Sequence, residues 1–267
     1  MPHARVNAHT LYYEEQGAGP QSIVFAHGLL WSGRMFEAQV NALKARYRCI
    51  TFDFPGQGQS EVARDGYDMD TLAADAAALV KQLNAAPCHF AGLSMGGFVA
   101  MRMGIRCPEL VRSLILMETS ADPEPPENIP KYRLLSFISR WLSMRLVAGQ
   151  AMQIMFGRSF LEDPARQAQR DEWRGYMLAN NQAGIAQALR GVIERAGVFD
   201  QLGKIKVPTL VIVGDQDVAT VPAKAERIAA GIPGARLVTI PNAGHTSTVE
   251  EPQAVTRAIE QFLDALG

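Results

Sequence analysis

The sequence predicts an α/β fold: a mostly parallel central sheet flanked by helices, with a helical block inserted near its middle. Two observations carry this. Short runs of β-branched and aromatic residues alternate with longer amphipathic stretches in the first 117 residues, and again from residue 207 to the end. That is the signature of strand–helix–strand units, whose crossovers are right-handed. Between about residues 120 and 205 no strand-like run of note occurs, and the chain reads as successive helices.

Taken in order, Leu11–Glu14 and Ser22–Ala26 read as strands and Met35–Ala45 as a helix. Arg48–Phe52 is a strand, and Leu72–Leu83 a helix with Leu72, Ala76 and Leu79 on one stripe. Cys88–Ala91 is a strand, Met95–Ile105 a helix and Val111–Met117 a strand. The run Asp122-Pro123-Glu124-Pro125-Pro126 breaks the alternation. Lys131–Gln150 then reads as one amphipathic helix that Ala151–Phe156 continues, followed by helices over Pro164–Asn180 and Gly184–Gly197. Thr209–Val213 resumes the sheet, with a helix over Pro222–Ile232, a strand over Arg236–Ile240 and a closing helix over Pro252–Leu266. Residues 1–119 and 206–267 are therefore expected to form one core domain, and residues 120–205 a cap inserted in it.

The bulk numbers fit. A single α/β domain can hold 267 residues, and 48% hydrophobic with 20% charged residues allows a large core. With 26 basic and 27 acidic residues and no Lys/Arg run, a nucleic-acid partner is not expected. Cys49, Cys88 and Cys107 have no metal-ligand spacing and read as buried, reduced thiols. The start, Met1-Pro2-His3-Ala4-Arg5, has no apolar signal core, and no stretch is long enough for a membrane span. A cytoplasmic protein is expected, as a monomer or a homodimer.

The most specific signal is Gly92-Leu93-Ser94-Met95-Gly96 between a strand and a helix. A tight strand-to-helix turn pushes the serine into a strained conformation. It also needs glycine two residues on either side, where a side chain would meet backbone. Ser94 is the expected nucleophile. Of five histidines, His245 follows the last strand, at the sheet edge where Ser94 also lies, and is the expected general base. His89 lies inside the strand feeding the turn and is expected to pack. His3 and His9 read as structural or exposed. Asp215 and Asp217 both follow the strand Thr209–Val213. Asp217 is favoured as the orienting acid because it lies deeper in the loop, with Asp215 as a loop cap. The N–H groups of Leu29 and Met95 are the expected oxyanion donors. His27 reads as a tie for its loop. Leu30 and Trp31 are candidates to face substrate, with core packing an equal reading for Trp31.

These pieces, with Asp53-Phe54-Pro55-Gly56-Gln57-Gly58-Gln59-Ser60 and Gly244-His245, make the chain resemble the α/β-hydrolase fold superfamily over essentially its whole length. Closer still, it is similar to small bacterial carboxylesterases, enol-lactonases, C–C bond hydrolases and cofactor-free haloperoxidases. The resemblance implies that Asp53 and Ser60 serve loop stability and that residues 120–205 cap the site. Relatives with an aspartate nucleophile are excluded, because Ser94 stands there. The expected activity is serine-esterase hydrolysis of small to medium apolar or aromatic esters through an acyl-enzyme, falling as pH drops and the base is protonated. That chemistry implies neither a metal nor an organic cofactor. The apolar cap suggests Trp141, Met144 and Met155 as further substrate contacts, although packing of cap on core is a competing use. The rival chemistry on the same three residues is enol-lactone or C–C cleavage; a C–C hydrolase would want cationic or amide groups in the cap, for which Arg133, Arg140, Arg145, Arg190 and Asn181 are available. The rival class is a binding member of the fold without turnover.

Overall fold

The computed structural model describes residues 2–267. In chain order its strands are β1 (His3–Val6), β2 (His9–Gln16), β3 (Ser22–Ala26), β4 (Arg48–Phe52), β5 (Cys88–Leu93), β6 (Val111–Met117), β7 (Thr209–Gly214) and β8 (Arg236–Ile240). They form one sheet in the order β1-β2-β4-β3-β5-β6-β7-β8. The pairs β1/β2 and β2/β4 are antiparallel, and every pair from β4 through β8 is parallel. The chain leaves β3 on one side to form β4 and returns on the other to form β5. The crevice at the C-terminal ends of β3 and β5 is thus a topological switch point, where open α/β sheets bind ligands.

The parallel strands β3 to β7 are buried on both faces, as their near-continuous apolar runs require, whereas the edge strand β8 is largely exposed. In β3, Ile23 and Phe25 join the core under α1 (Glu37–Leu43) and α11 (Pro252–Asp264). Val24 and Ala26 join the opposite core under α2 (Met69–Gln82), α3 (Met95–Arg106) and α9 (Pro222–Gly231). The period of two assigns each side chain to one layer. On α11, Val255, Ile259 and Phe262 recur at helical spacing and are all buried. Pro252 opens that helix, where its missing N–H costs nothing. On α2 the Asp68 carboxylate caps the first turn, accepting from the backbone N–H groups of Asp70 (3.1 Å) and Thr71 (2.9 Å).

Between β6 and β7 stand α4 (Ile129–Trp141), α5 (Met144–Met155), α6 (Arg158–Glu162), α7 (Gln167–Ala179) and α8 (Gln182–Ile193), which form the cap. Lys131–Gln150 is not one helix. The chain breaks at Leu142-Ser143, where Ser143 adopts extended backbone and its hydroxyl caps α5 through Arg145 N–H (3.1 Å). Amphipathic periodicity runs through the break, so it is invisible to pattern alone. The expected boundary at residue 205 also falls late. Val198, Leu202 and Ile205 sit in the core layer of α3 and α9. Strand β1 was not expected, because only Ala4 and Val6 of its four residues are buried, too little to show a period. The short helices α6 and α10 (Ser247–Glu250) were likewise not foreseen. No helix among the described residues is long and apolar enough to cross a membrane.

Candidate active site

At the end of β5 the chain turns sharply into α3, and Ser94 sits in the turn with φ +52° and ψ −110°. This is a region that side chains rarely adopt and that surrounding structure must enforce. Backbone bonds from Ser94 N–H to Met117 O (2.9 Å) and from Gly96 N–H to His27 O (3.1 Å) hold it. The flanking glycines are required by contact. A Cβ on Gly92 would stand 2.2 Å from Gly96 O, and one on Gly96 would stand 2.0 Å from Ala26 O.

The structure brings Ser94, His245 and Asp217 into one chain of hydrogen bonds. His245 Nε2 lies 2.9 Å from Ser94 Oγ, and His245 Nδ1 lies 2.9 Å from Asp217 Oδ2. His245 follows β8 in a buried loop, and Asp217 follows β7 with only 3% exposure. The Asp217 carboxylate is fully occupied. Its Oδ1 accepts from Ala219 N–H (2.8 Å) and Thr220 N–H (2.9 Å), and its Oδ2 also accepts from Thr220 Oγ1 (2.7 Å). Burial by itself raises the Asp217 pKa, but the His245 ring and the Thr220 bonds outweigh it and hold the carboxyl below its usual value. Asp215, by contrast, is exposed. Thr220 had no signal in the sequence, since its use depends on the loop curling back over Asp217.

Leu29 and Met95 flank Ser94 from the two loops. The backbone N–H of neither has an acceptor among the described residues. Behind them, His27 ties the loop. Its Nε2 accepts from Phe54 N–H (2.9 Å) and its Nδ1 faces Gly28 O (2.7 Å). That pattern assigns the proton to Nδ1, and burial lowers the His27 pKa further. Gln57 Oε1 accepts from Leu30 N–H (2.8 Å). Asp53 accepts from Gly33 N–H (2.7 Å) and Gln59 N–H (2.8 Å), and Ser60 Oγ donates to Asp53 O (2.6 Å). Asp53 and Ser60 therefore brace the loop. His89 is buried between Ser113 Oγ (2.8 Å) and Gln21 Oε1 (2.9 Å). His9 is buried against Asp75.

A cavity opens above Ser94 and His245 beneath the cap. Leu29, Leu30, Met144 and Met155 line it. Trp31 does not. It packs edge-on against Trp173 (ring centroids 5.2 Å apart) and Phe156 (5.7 Å), joining its loop to the cap. Trp141 does not line it either. It is 67% exposed, with the Arg140 guanidinium 4.7 Å from its ring centroid. In one continuous helix Trp141 and Met144 would share a stripe. The break at Leu142-Ser143 separates them, so Met144 enters the cavity while Trp141 faces solvent. The cationic candidates Arg133, Arg140, Arg145 and Arg190, with Asn181, are also absent from the lining. The arginine that is present, Arg195, lies just past α8 and was not singled out from the sequence.

A second buried carboxylate seats the cap on the histidine loop. Glu250 Oε2 accepts from Gly157 N–H (2.8 Å) and Gly244 N–H (3.0 Å), and Oε1 from Thr246 N–H (3.0 Å). Burial raises its pKa to about 7 against those three donors. Deeper still, burial drives the Glu118 carboxyl well above its usual value, with Asp217 and Glu250 adding to the effect.

Residues 21–252 match the family model described as alpha/beta hydrolase fold. A Mycobacterium tuberculosis protein provisionally named a non-heme bromoperoxidase, BpoC, is 32% identical over 94% of this chain and 97% of its own length. Among solved structures, a thermophilic esterase from Thermogutta terrifontis superposes with a TM-score of 0.92 at 28% identity, covering 100% of this chain and 99% of that one. The enol-lactonase from Burkholderia xenovorans LB400 also gives a TM-score of 0.92 at 28% identity, over 98% of this chain and all of that one. With the family model spanning most of its length and the serine turn, histidine loop and cap in the arrangement described, this chain belongs to the α/β-hydrolase fold family.

Proposed function

We propose that the protein is a carboxylic ester hydrolase that works through an acyl-enzyme on Ser94. The observation that carries the reading is the hydrogen-bond chain from Ser94 Oγ through His245 to Asp217, both links 2.9 Å, at the floor of an apolar cavity. His245 takes the Ser94 proton as Oγ attacks the ester carbonyl. The carbonyl oxygen turns toward the N–H groups of Leu29 and Met95, which have no other acceptor among the described residues and stabilise the developing charge. The protonated imidazole then gives its proton to the leaving alkoxide. In the second half of the cycle His245 activates water, which adds to the acyl carbonyl, and Ser94 leaves with the free acid released. Asp217 holds the imidazole with Nε2 toward Ser94 and stabilises its charged form.

An uncharged ester or lactone of modest size suits the cavity, and the likeness to an esterase and to an enol-lactonase supports a carbonyl substrate. Leu30, Met144 and Met155 are the proposed substrate contacts. The test is turnover of 4-nitrophenyl esters from two to twelve carbons, beside a lactone panel and an aromatic ring-cleavage product, by the intact protein and by Ser94→Ala. Ester turnover that Ser94→Ala abolishes is the expected result. Lactone or ring-product turnover with silent esters moves the substrate class while keeping Ser94. Full activity in Ser94→Ala, or no turnover of anything, overturns the reading.

A further inference from the structure

The cavity wall is apolar apart from one polar cluster away from Ser94, His245 and Thr220. It consists of Arg195, Glu124 and Tyr132. Arg195 stacks 4.2 Å from the ring centroid of Phe98. Phe98 follows Ser94 by one turn of α3, with Phe98 N–H donating to Ser94 O at 3.0 Å. Phe98 is one helical turn, about 6 Å along the α3 axis, beyond Ser94, and the Arg195 guanidinium lies against its ring.

The Arg195 side chain is 3% exposed and is held on three of its five N–H groups. Nε donates to Asp122 O (3.2 Å), and Nη1 to Glu124 Oε2 (2.8 Å) and Val192 O (2.7 Å). Nη2 has no acceptor among the described residues, and the Tyr132 hydroxyl likewise has no partner there. Glu124 is committed at both ends, to Arg195 through Oε2 and to Asn128 Nδ2 through Oε1 (2.9 Å). The charge of Arg195 is thus balanced while its outer donors stay free.

Resting on the hydrolase reading above, we propose that Arg195 Nη2 and the Tyr132 hydroxyl form a specificity subsite for an uncharged oxygen acceptor. The acceptor is a ketone, hydroxyl or amide oxygen carried on the substrate chain about one helical turn from the scissile carbonyl. A plain alkyl chain would leave these donors dry and unpaired, and sites built to hydrogen-bond a substrate discriminate strongly against the analogue that lacks the group. A carboxylate would meet the Glu124 carboxylate across the same guanidinium, adding a second negative charge in an apolar cavity.

The test compares kcat/KM for 4-nitrophenyl esters of four-, six- and eight-carbon acids, each as the plain alkanoate, the methyl-ketone acid and the terminal carboxylate. At one chain length the keto ester should exceed the plain ester by about tenfold or more, with the carboxylate poorest. Tyr132→Phe should cut the ratio of keto-ester to plain-ester kcat/KM several-fold. Glu124→Gln, which frees the Arg195 charge, should raise the carboxylate ester relative to the other two. Equal kcat/KM for all three classes at every length overturns the proposal, as does a uniform change across them in both variants, which a purely structural role would give. Binding of methyl 5-oxohexanoate and methyl hexanoate to Ser94→Ala, followed by NMR titration, reads the subsite without turnover. Tighter keto-ester binding with no hydrolysis in the intact protein sinks the hydrolase reading alone. Equal binding sinks the subsite, whatever the turnover.

Discussion

Ser94 keeps a backbone conformation that costs on the order of 1–3 kcal/mol, and its neighbours over-determine it. Besides the two backbone bonds, Thr119 Oγ1 donates to Ser94 O at 2.9 Å. The orientation of His245 rests on Asp217, whose four accepted bonds leave it no freedom to turn. Under the proposed mechanism Asp217→Asn should lower kcat by about 10³–10⁴-fold, because an amide can face His245 with N–H and force the wrong tautomer. Melting temperature, measured beside kcat, should change little. Thr220→Val removes the hydroxyl bond to Asp217 Oδ2 while keeping the shape. A bond to a charged group contributes about 1.5–3 kcal/mol, so a loss of roughly tenfold or more in kcat is expected, at unchanged KM. An unaltered kcat would mean that the Thr220 bond is incidental.

At the scale of elements, the decisive contact is the seating of the α5–α6 junction on the loop between β8 and α10. Gly157 and Gly244 approach so closely that a Cβ on Gly244 would stand 2.1 Å from Gly157 N. Gly244→Ala should therefore displace the cap from the His245 loop, lowering both thermal stability and kcat/KM, with amide exchange faster at Gly157. Glu250 bonds both segments, and its pKa of about 7 makes the clamp titrate near neutrality. Protonation turns one oxygen into a donor, so at least one of the three N–H groups loses its acceptor. Amide shifts of Gly157, Gly244 and Thr246 should move together with a midpoint near 7 and stay flat in Glu250→Gln. The sign for stability follows from linkage. The folded state holds this proton above the ordinary value of 4.5, so its contribution is full below 4.5 and is lost as pH rises to about 7.

Across the whole molecule, two buried histidines, His89 and His27, act in the opposite direction. Burial, aided by Arg112, lowers the His89 pKa from 6.5 to about 4. The unfolded chain takes up this proton first, so stability should fall as pH drops from 6.5 toward 4. Chemical denaturation of the intact protein and His89→Gln across that range checks this. The difference between them should shrink toward low pH, and a constant difference would show that His89 ionises alike in both states. His27, lowered by burial, adds to the same trend. Its ring also supports the Phe54 turn, so the acid-sensitive groups lie beneath the site as well as in the core.

The sequence by itself determined the layers of this protein and the principal residues of its candidate site. Strand–helix alternation is local, so it showed the order of the elements and the mostly parallel sheet they build. The Gly92 to Gly96 spacing marked a strained turn because strand, glycines and helix start are contiguous. What the tertiary structure decided are contacts between segments far apart in the chain. Arg195 meets Glu124 across 71 positions, and Glu250 meets Gly157 across 93. Neither partner carries a local pattern. The break before Ser143 turned Trp141 outward while Met144 entered the cavity, and Trp31 was drawn into an aromatic cluster instead of the substrate wall. Periodicity reports which face of an element is apolar. Whether that face meets a core, a cavity or another helix depends on the packing angle, which is set only when distant elements close on one another.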